Sequence, residues 1–195
     1  MKQIEVTTNV HQSLEEVHDI LSSQGFEIIR RSRIEDQYMS QEKGKLTKDN
    51  IISILMHCLL IRYLCVNGTD TYKSITYKKK EYAGDTVLSE EKIVLNIDDI
   101  EKAERLLRAL NFEKIVDVRY DVVVYKRGEI ELCFQLVEDL GLLVEYENTA
   151  DFQDASPSAI LEEKKRMLEE LKSYQLDVSE DYDVKKAYQL VLNRM

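Results

Sequence analysis

Glu145 and Glu147 stand two apart in the run Leu142-Leu143-Val144-Glu145-Tyr146-Glu147, which Gly141 introduces. Side chains of an extended strand alternate faces, so the two carboxylates share one side of a sheet. On an open, solvated sheet such a pair repels weakly and does nothing. Inside a closed barrel it becomes a hard-oxygen pair suited to Mg2+ or Mn2+, the cation offsetting the repulsion.

The same alternation groups the other charged strand residues. Arg62 shares a face with Leu60 and Leu64, Lys78 with Ser74, Thr76 and Lys80, Arg119 with Asp117, and Gln3, Glu5 and Thr7 lie together. If the polar face is the inner one, carboxylates and cations meet in one barrel. That mixture suits a metal-bound polyphosphate, whose oxygens accept from Arg and Lys while the metal bridges them to carboxylates. Taken singly, each residue reads more plainly. A lone Glu or Arg on a strand faces solvent, as expected for Glu129 and Glu131, and the Lys78-Lys79-Lys80 run protects an edge. Cys58, Cys65 and Cys133 lack CxxC spacing, and His11, His18 and His57 are the only histidines, which leaves little for zinc ligation, redox chemistry or His/Cys catalysis.

Positioning falls to eight period-two segments: Lys2 to Thr8, Glu27 to Met39, Leu59 to Val66, Thr71 to Lys80, Thr86 to Ile97, Val116 to Tyr125, Glu129 to Gln135 and Leu142 to Glu147. Eight strands close into a small barrel with room for one ligand. Asn67-Gly68 is a hairpin signal, and Arg127-Gly128 a weaker one. At an offset of 86 residues the chain resembles itself, Leu14 to Asp36 lying over Ile100 to Val122. Glu15, Leu21, Phe26, Glu27, Ile29 and Arg33 meet Glu101, Leu107, Phe112, Glu113, Ile115 and Arg119. Both copies read as a capped amphipathic helix, a left-handed stop (Gly25, Asn111) and a strand. The first has the capping box Ser13 and Glu16 with the stripe Leu14, Val17 and Leu21. The second has Asp98 or Asp99 as cap and Ala103, Leu106, Leu107 and Leu110 as stripe. Residues 40–58 resolve only into a basic loop and a short helix or strand lead-in. Ser156-Pro157 starts a C-terminal helix, and Val184, Ala187, Tyr188 and Val191 mark a last one.

With 195 residues, 44% hydrophobic content and one proline, the chain supports one core, and residues 1–195 are read as a single domain. No apolar run reaches the roughly 20 residues of a membrane span, and no signal core follows Met1, which implies a cytoplasmic protein. The net charge of −10 argues against a nucleic-acid partner, although a cationic pocket can sit within an acidic shell.

Four segments resemble the CYTH superfamily of class IV adenylyl cyclases, thiamine triphosphatases and inorganic triphosphatases. Gln3-Ile4-Glu5-Val6-Thr7 matches its ExExK strand, Leu60-Ile61-Arg62 its RxR strand, Ile75-Thr76-Tyr77-Lys78 its LTxK strand, and Leu140 to Glu147 its LGxFxEIE strand. The resemblance spans nearly the whole chain and implies an α+β fold. This is an eight-stranded antiparallel triphosphate-tunnel barrel with flanking helices, built from two pseudo-repeated halves. It implies metal roles for Glu5, Glu145 and Glu147 with Mg2+ or Mn2+, and phosphate roles for Arg62, Lys78 and Arg119. The implied activity is hydrolysis of a small-molecule triphosphate, whether inorganic, nucleoside or thiamine. The alternatives are a non-catalytic phosphate-binding protein and, further off, a cyclase, for which no adenine-selecting motif is legible. The chain departs from the pattern at Gln3, Thr7, Leu60, Asp117 and Gln135 and along Ile93-Val94-Leu95-Asn96. Each lost cation removes a charge-assisted bond worth about 1.5–3 kcal/mol, which predicts a tunnel weakened toward long phosphate chains.

Overall fold

The computed structural model describes residues 4–83, 86–148 and 155–195, with the side chains of Asp70 and of residues 79–90 excepted. Gln3 and the Lys79 and Lys80 side chains lie outside these described residues. Within them, eight strands form one antiparallel sheet: β1 (Ile4–Asn9), β2 (Glu27–Ser40), β3 (Leu59–Val66), β4 (Asp70–Ala83), β5 (Thr86–Asn96), β6 (Glu113–Arg127), β7 (Ile130–Val137) and β8 (Gly141–Asn148). Their order is β1-β8-β7-β6-β2-β3-β4-β5. The hairpins expected at Asn67-Gly68 and Arg127-Gly128 join β3 to β4 and β6 to β7, with Asn67, Gly68 and Gly128 at positive φ.

The repeat legible in the sequence is a physical one. Helix α1 (Leu14–Ser23) sits between β1 and β2, and α3 (Ile100–Ala109) sits between β5 and β6. The halves are therefore β1-α1-β2-β3-β4 and β5-α3-β6-β7-β8, meeting where β2 pairs with β6. Register there sets Ile34 opposite Tyr120, two residues separated by the repeat offset itself, so a local two-fold axis passes between them. Each half lends its first strand to the other: β5 adds beside β4, and β1 beside β8.

Both helices begin as their sequences dictate. The Glu16 amide donates to Ser13 Oγ at 3.2 Å while the Ser13 amide donates to Glu16 Oε2 at 2.7 Å, and Asp99 caps α3. Gly25 and Asn111 end them at φ +82° and +62°. The α3 stripe is narrower than expected: Ala103 and Leu107 are buried, but Leu106 and Leu110 are more than half exposed. The cause is the shallow seat of α3 on the outer face around Met39 and Ile61. Helix α1 and α4 (Pro157–Ser173) cover the outer side of β1, β8 and β7 through Val17, Leu21, Ile160, Met167 and Leu171. On the concave side lie α2 (Ile51–Leu55) and α5 (Lys186–Asn193), packed on Val116, Val118 and Val122 of β6.

Strands β1 and β5 end the sheet and approach each other, but among the described residues no ladder joins them. The free edge of β1 is taken instead by the segment between α4 and α5. The Thr7 amide donates to Tyr182 O at 3.1 Å, and the Val184 and Ser179 amides donate to Thr7 O and Asn9 O at 2.9 and 3.0 Å. Gly141 enters β8 at φ +92°, a conformation that costs an L-residue about 1–2 kcal/mol. Gly141→Ala is therefore expected to lower Tm by about 2–8 °C in a thermal melt. Among the described residues no helix is long and apolar enough to cross a membrane.

Candidate functional site

The concave face encloses a cavity of about 370 Å3. On β8 the odd positions Glu145 and Glu147 face it while Val144 and Tyr146 join the outer core. On β1, Glu5 and Thr7 face it between Ile4 and Val6, which are fully buried outside. Register sets Glu5 directly opposite Glu147 and Thr7 opposite Glu145. All three carboxylates expected from the sequence therefore share one wall.

Glu145 is held by protein groups. Gln135 Nε2 donates to its Oε2 at 2.9 Å, Lys186 Nζ lies 3.7 Å from the same oxygen, and Lys186 also donates to Gln135 Oε1. Burial alone would raise the Glu145 carboxyl, but Lys186, the Gln135 amide, Lys78 and Lys92 outweigh it and hold it below its ordinary value. Lys186 further sits 4.7 Å from the centroid of the Tyr120 ring.

Across the cavity, Arg62 forks onto buried Asp36, Nε to Oδ1 at 2.7 Å and Nη2 to Oδ2 at 2.6 Å. The Tyr120 hydroxyl stands 3.5 Å from both partners. Lys78 and Lys92, register partners on β4 and β5, also line the cavity, as does Arg30 from β2. Lys164 from α4 is 2% exposed, its Nζ 3.8 Å from Asp183, and Lys185 binds the same aspartate at 2.9 Å. Seven cationic and four acidic side chains thus line the cavity among the described residues, in a chain of net charge −10. The cations are not thinned as the family pattern predicts. They come from other elements.

Arg119 is the exception among the expected residues. It lies outside, 48% exposed, near Glu35 and Glu138. The reason is that α5 covers the concave face of β6, so its apolar parity (Val118, Tyr120, Val122) turns inward and Arg119 turns to solvent. Asp117 follows the same outward phase.

A metal was expected at Glu5, Glu145 and Glu147. Among the described residues no three acidic, His or Cys side chains gather closely enough to hold one, and Glu145 already faces an ammonium. Glu5 and Glu147 face each other across the β1–β8 pairing, with Thr7 Oγ1 donating to Glu5 Oε1 at 3.0 Å. Two carboxylates, completed by waters and ligand phosphates, form the donor set that Mg2+ takes, so these residues fit such an ion.

A Methanocaldococcus jannaschii protein named as a putative adenylate cyclase is 33% identical over 99 residues, 50% of this chain and 53% of that protein. The chain thus spans about half the length of the curated relative it matches. A Pyrococcus horikoshii protein of solved structure superposes at TM-score 0.73 and 20% identity, covering 99% of both chains. A Hippeastrum protein, described as a putative adenylyl cyclase with a dominant triphosphatase activity, superposes at 0.60 and 16% identity over 100% of this chain and 96% of its own. No protein-family model matches. The chain shares the fold of these solved proteins, an eight-stranded antiparallel sheet with flanking helices.

Lys164, Lys185 and Lys186 were not expected in the cavity, yet each left a trace in the sequence. Lys164 occupies a stripe position of α4 between Ile160 and Met167, where a leucine would ordinarily stand. Lys185 and Lys186 open α5 with no side-chain cap, at the end where the helix dipole disfavours cations. Lys78 and Lys92 are like charges directly opposite, a costly arrangement unless an anion lies near.

Proposed function

We propose that this CYTH-type chain is a metal-assisted phosphohydrolase that binds the phosphate chain of a triphosphate in its barrel. The observation that carries this reading is the cation surplus inside an acidic protein, set against a wall of three carboxylates. Low-dielectric walls focus that local field and draw a polyanion inward. The triphosphatase activity of the Hippeastrum relative and the cyclase name of the Methanocaldococcus relative supply the class of substrate.

In this reading Arg30, Arg62, Lys78, Lys92 and Lys186 donate to phosphate oxygens. Glu5 and Glu147 would hold Mg2+ or Mn2+, which when bound neutralises charge at the phosphoryl group. Lys186 and Gln135 keep Glu145 ionised and oriented toward the ligand. The barrel wall and α5 exclude bulk water from the buried charges, which strengthens each contact. Phosphoryl transfer demands mainly positioning and charge stabilisation, and this constellation supplies both.

Phosphate release from tripolyphosphate, ATP and thiamine triphosphate, assayed with Mg2+ and Mn2+, tests the proposal. Metal-dependent turnover of at least one is the expected result, and absence of turnover with all three sinks it. Tight binding without turnover would instead indicate a non-catalytic phosphate-binding protein, and cyclic AMP formation from ATP a cyclase. Lys186→Met removes one charge-assisted bond of about 1.5–3 kcal/mol, so the Kd for a bound triphosphate should rise about 10–150-fold by calorimetry.

A further inference from the structure

Asp36 is a buried acid beside a cavity that attracts anions, and the proposed function gives it no role. It is 3% exposed on β2, directly opposite Arg62 of β3 in register. Arg62 lines the cavity and Asp36 does not, so the guanidinium stands between the carboxylate and a bound phosphate. Asp36 accepts from Nε and Nη2 at 2.7 and 2.6 Å, which leaves the Nη1 end as the part of the fork that it does not hold. Burial works against the Arg62 charge, but the bond to Asp36 outweighs it and holds the guanidinium above its ordinary value. Tyr120 braces the pair from β6, its hydroxyl 3.5 Å from Asp36 Oδ2 and from Arg62 Nη2. Burial, and next the Asp36 charge, raise that phenol well above its ordinary value, so it stays a proton donor. The same ring lies 4.7 Å from Lys186 Nζ.

Stability alone does not account for such a pair. A buried ion pair is often no more stabilising than apolar residues of the same volume, and a carboxylate beside an anion site weakens the field that draws the ligand in. What the fork supplies is orientation. An unheld arginine is rotamer-rich and must be ordered when the ligand arrives, whereas one fixed in a bidentate fork presents its remaining donors already aimed. We infer that Asp36 is a positioning residue: it acts through Arg62, turning the Nη1 end toward the phosphoryl oxygens, with Tyr120 fixing that fork relative to Lys186. This inference rests on the phosphate-binding reading above and adds to it a residue that touches no ligand.

Asp36→Asn keeps the shape and removes the charge, and its effects on binding and turnover should part. In metal-free calorimetry with tripolyphosphate, ATP and thiamine triphosphate, Kd should fall or stay within about threefold of the natural value, because the lysines remain and one nearby negative charge is gone. Single-turnover phosphate release with Mg2+, from whichever of the three the natural chain cleaves fastest, should drop about 10–100-fold. Asp36→Glu, which restores the carboxylate, should recover part of that rate. Tyr120→Phe, the milder change should Asp36→Asn fail to fold, should lower the rate about 2–10-fold with Kd unchanged. A Kd that rises in step with the loss of rate would mark a merely structural residue and overturn the inference, as would an unchanged rate. Binding without turnover in the natural chain also overturns it and leaves the phosphate-binding reading standing. No binding of any of the three overturns both.

Discussion

Glu145→Gln is expected to lower metal-dependent phosphate release by about two orders of magnitude, with a neutral-pH thermal melt lowered only by the increment that the carboxylate charge supplies. The substitution keeps the shape and the contact with Gln135 but removes the charge that faces Lys186, Lys78 and Lys92. Groups that orient ligand and metal from just behind them typically matter at the level of 10–100-fold, and loss of a positioned electrostatic contact in a dry site costs about as much in rate again. Single-turnover phosphate release compared between the two proteins measures it, and an unchanged rate would remove Glu145 from the mechanism. The pH dependence has a defined sign. The folded carboxyl is held below its ordinary value of about 4.5, so its contribution to stability is complete above that pH and is lost as the pH falls through the lower, folded value. Metal-free melts of the natural chain should lose that increment in acid, and those of Glu145→Gln should not.

The second large effect concerns stability. Asp36 is 3% exposed and takes the fork from Arg62. Asp36→Ala strands a guanidinium that is itself largely buried. Breaking such a pair from one side costs about 3–5 kcal/mol, which for a chain of this size is about 6–20 °C in Tm. The double variant Asp36→Ala/Arg62→Leu removes both charges and should recover most of the loss, because an apolar pair tolerates the site better than a lone charge does. Urea and thermal melts of the single and double variants close the cycle. A single-variant loss below about 1 kcal/mol would mean that water reaches the pair.

What the sequence made legible followed alternation and punctuation. Glu5, Glu145 and Glu147 face one cavity because β1 and β8 each keep one face on the apolar outer core, which fixes their phase. The hairpin glycines, the caps of α1 and α3 and the 86-residue repeat were equally local. Arg119 was misread because its strand is apolar on the inner side, where α5 packs, and no local pattern tells which face of a barrel strand a distant helix will cover. Lys164 and Lys186 left only faint traces for a related reason. A lysine on a helix looks solvated until tertiary packing carries the helix across the sheet. Arg30 lies just beyond a register shift in β2, between Ile28 and Arg30, and a bulge there changes the phase that counting by twos assumes.

The pairing of β1 has a consequence for how the chain is made. Its partners are β8 on one side and residues 178–184 on the other, all synthesised long after it. At 5–20 residues per second, β1 emerges and then waits on the order of ten seconds before either edge can be covered. During translation it is an exposed strand with both edges open, the kind of segment that aggregates pair with. Completion of the barrel is therefore among the last events of folding, dominated by contacts of very high sequence separation, and β1 stays uncovered until residues 178–184 leave the ribosome.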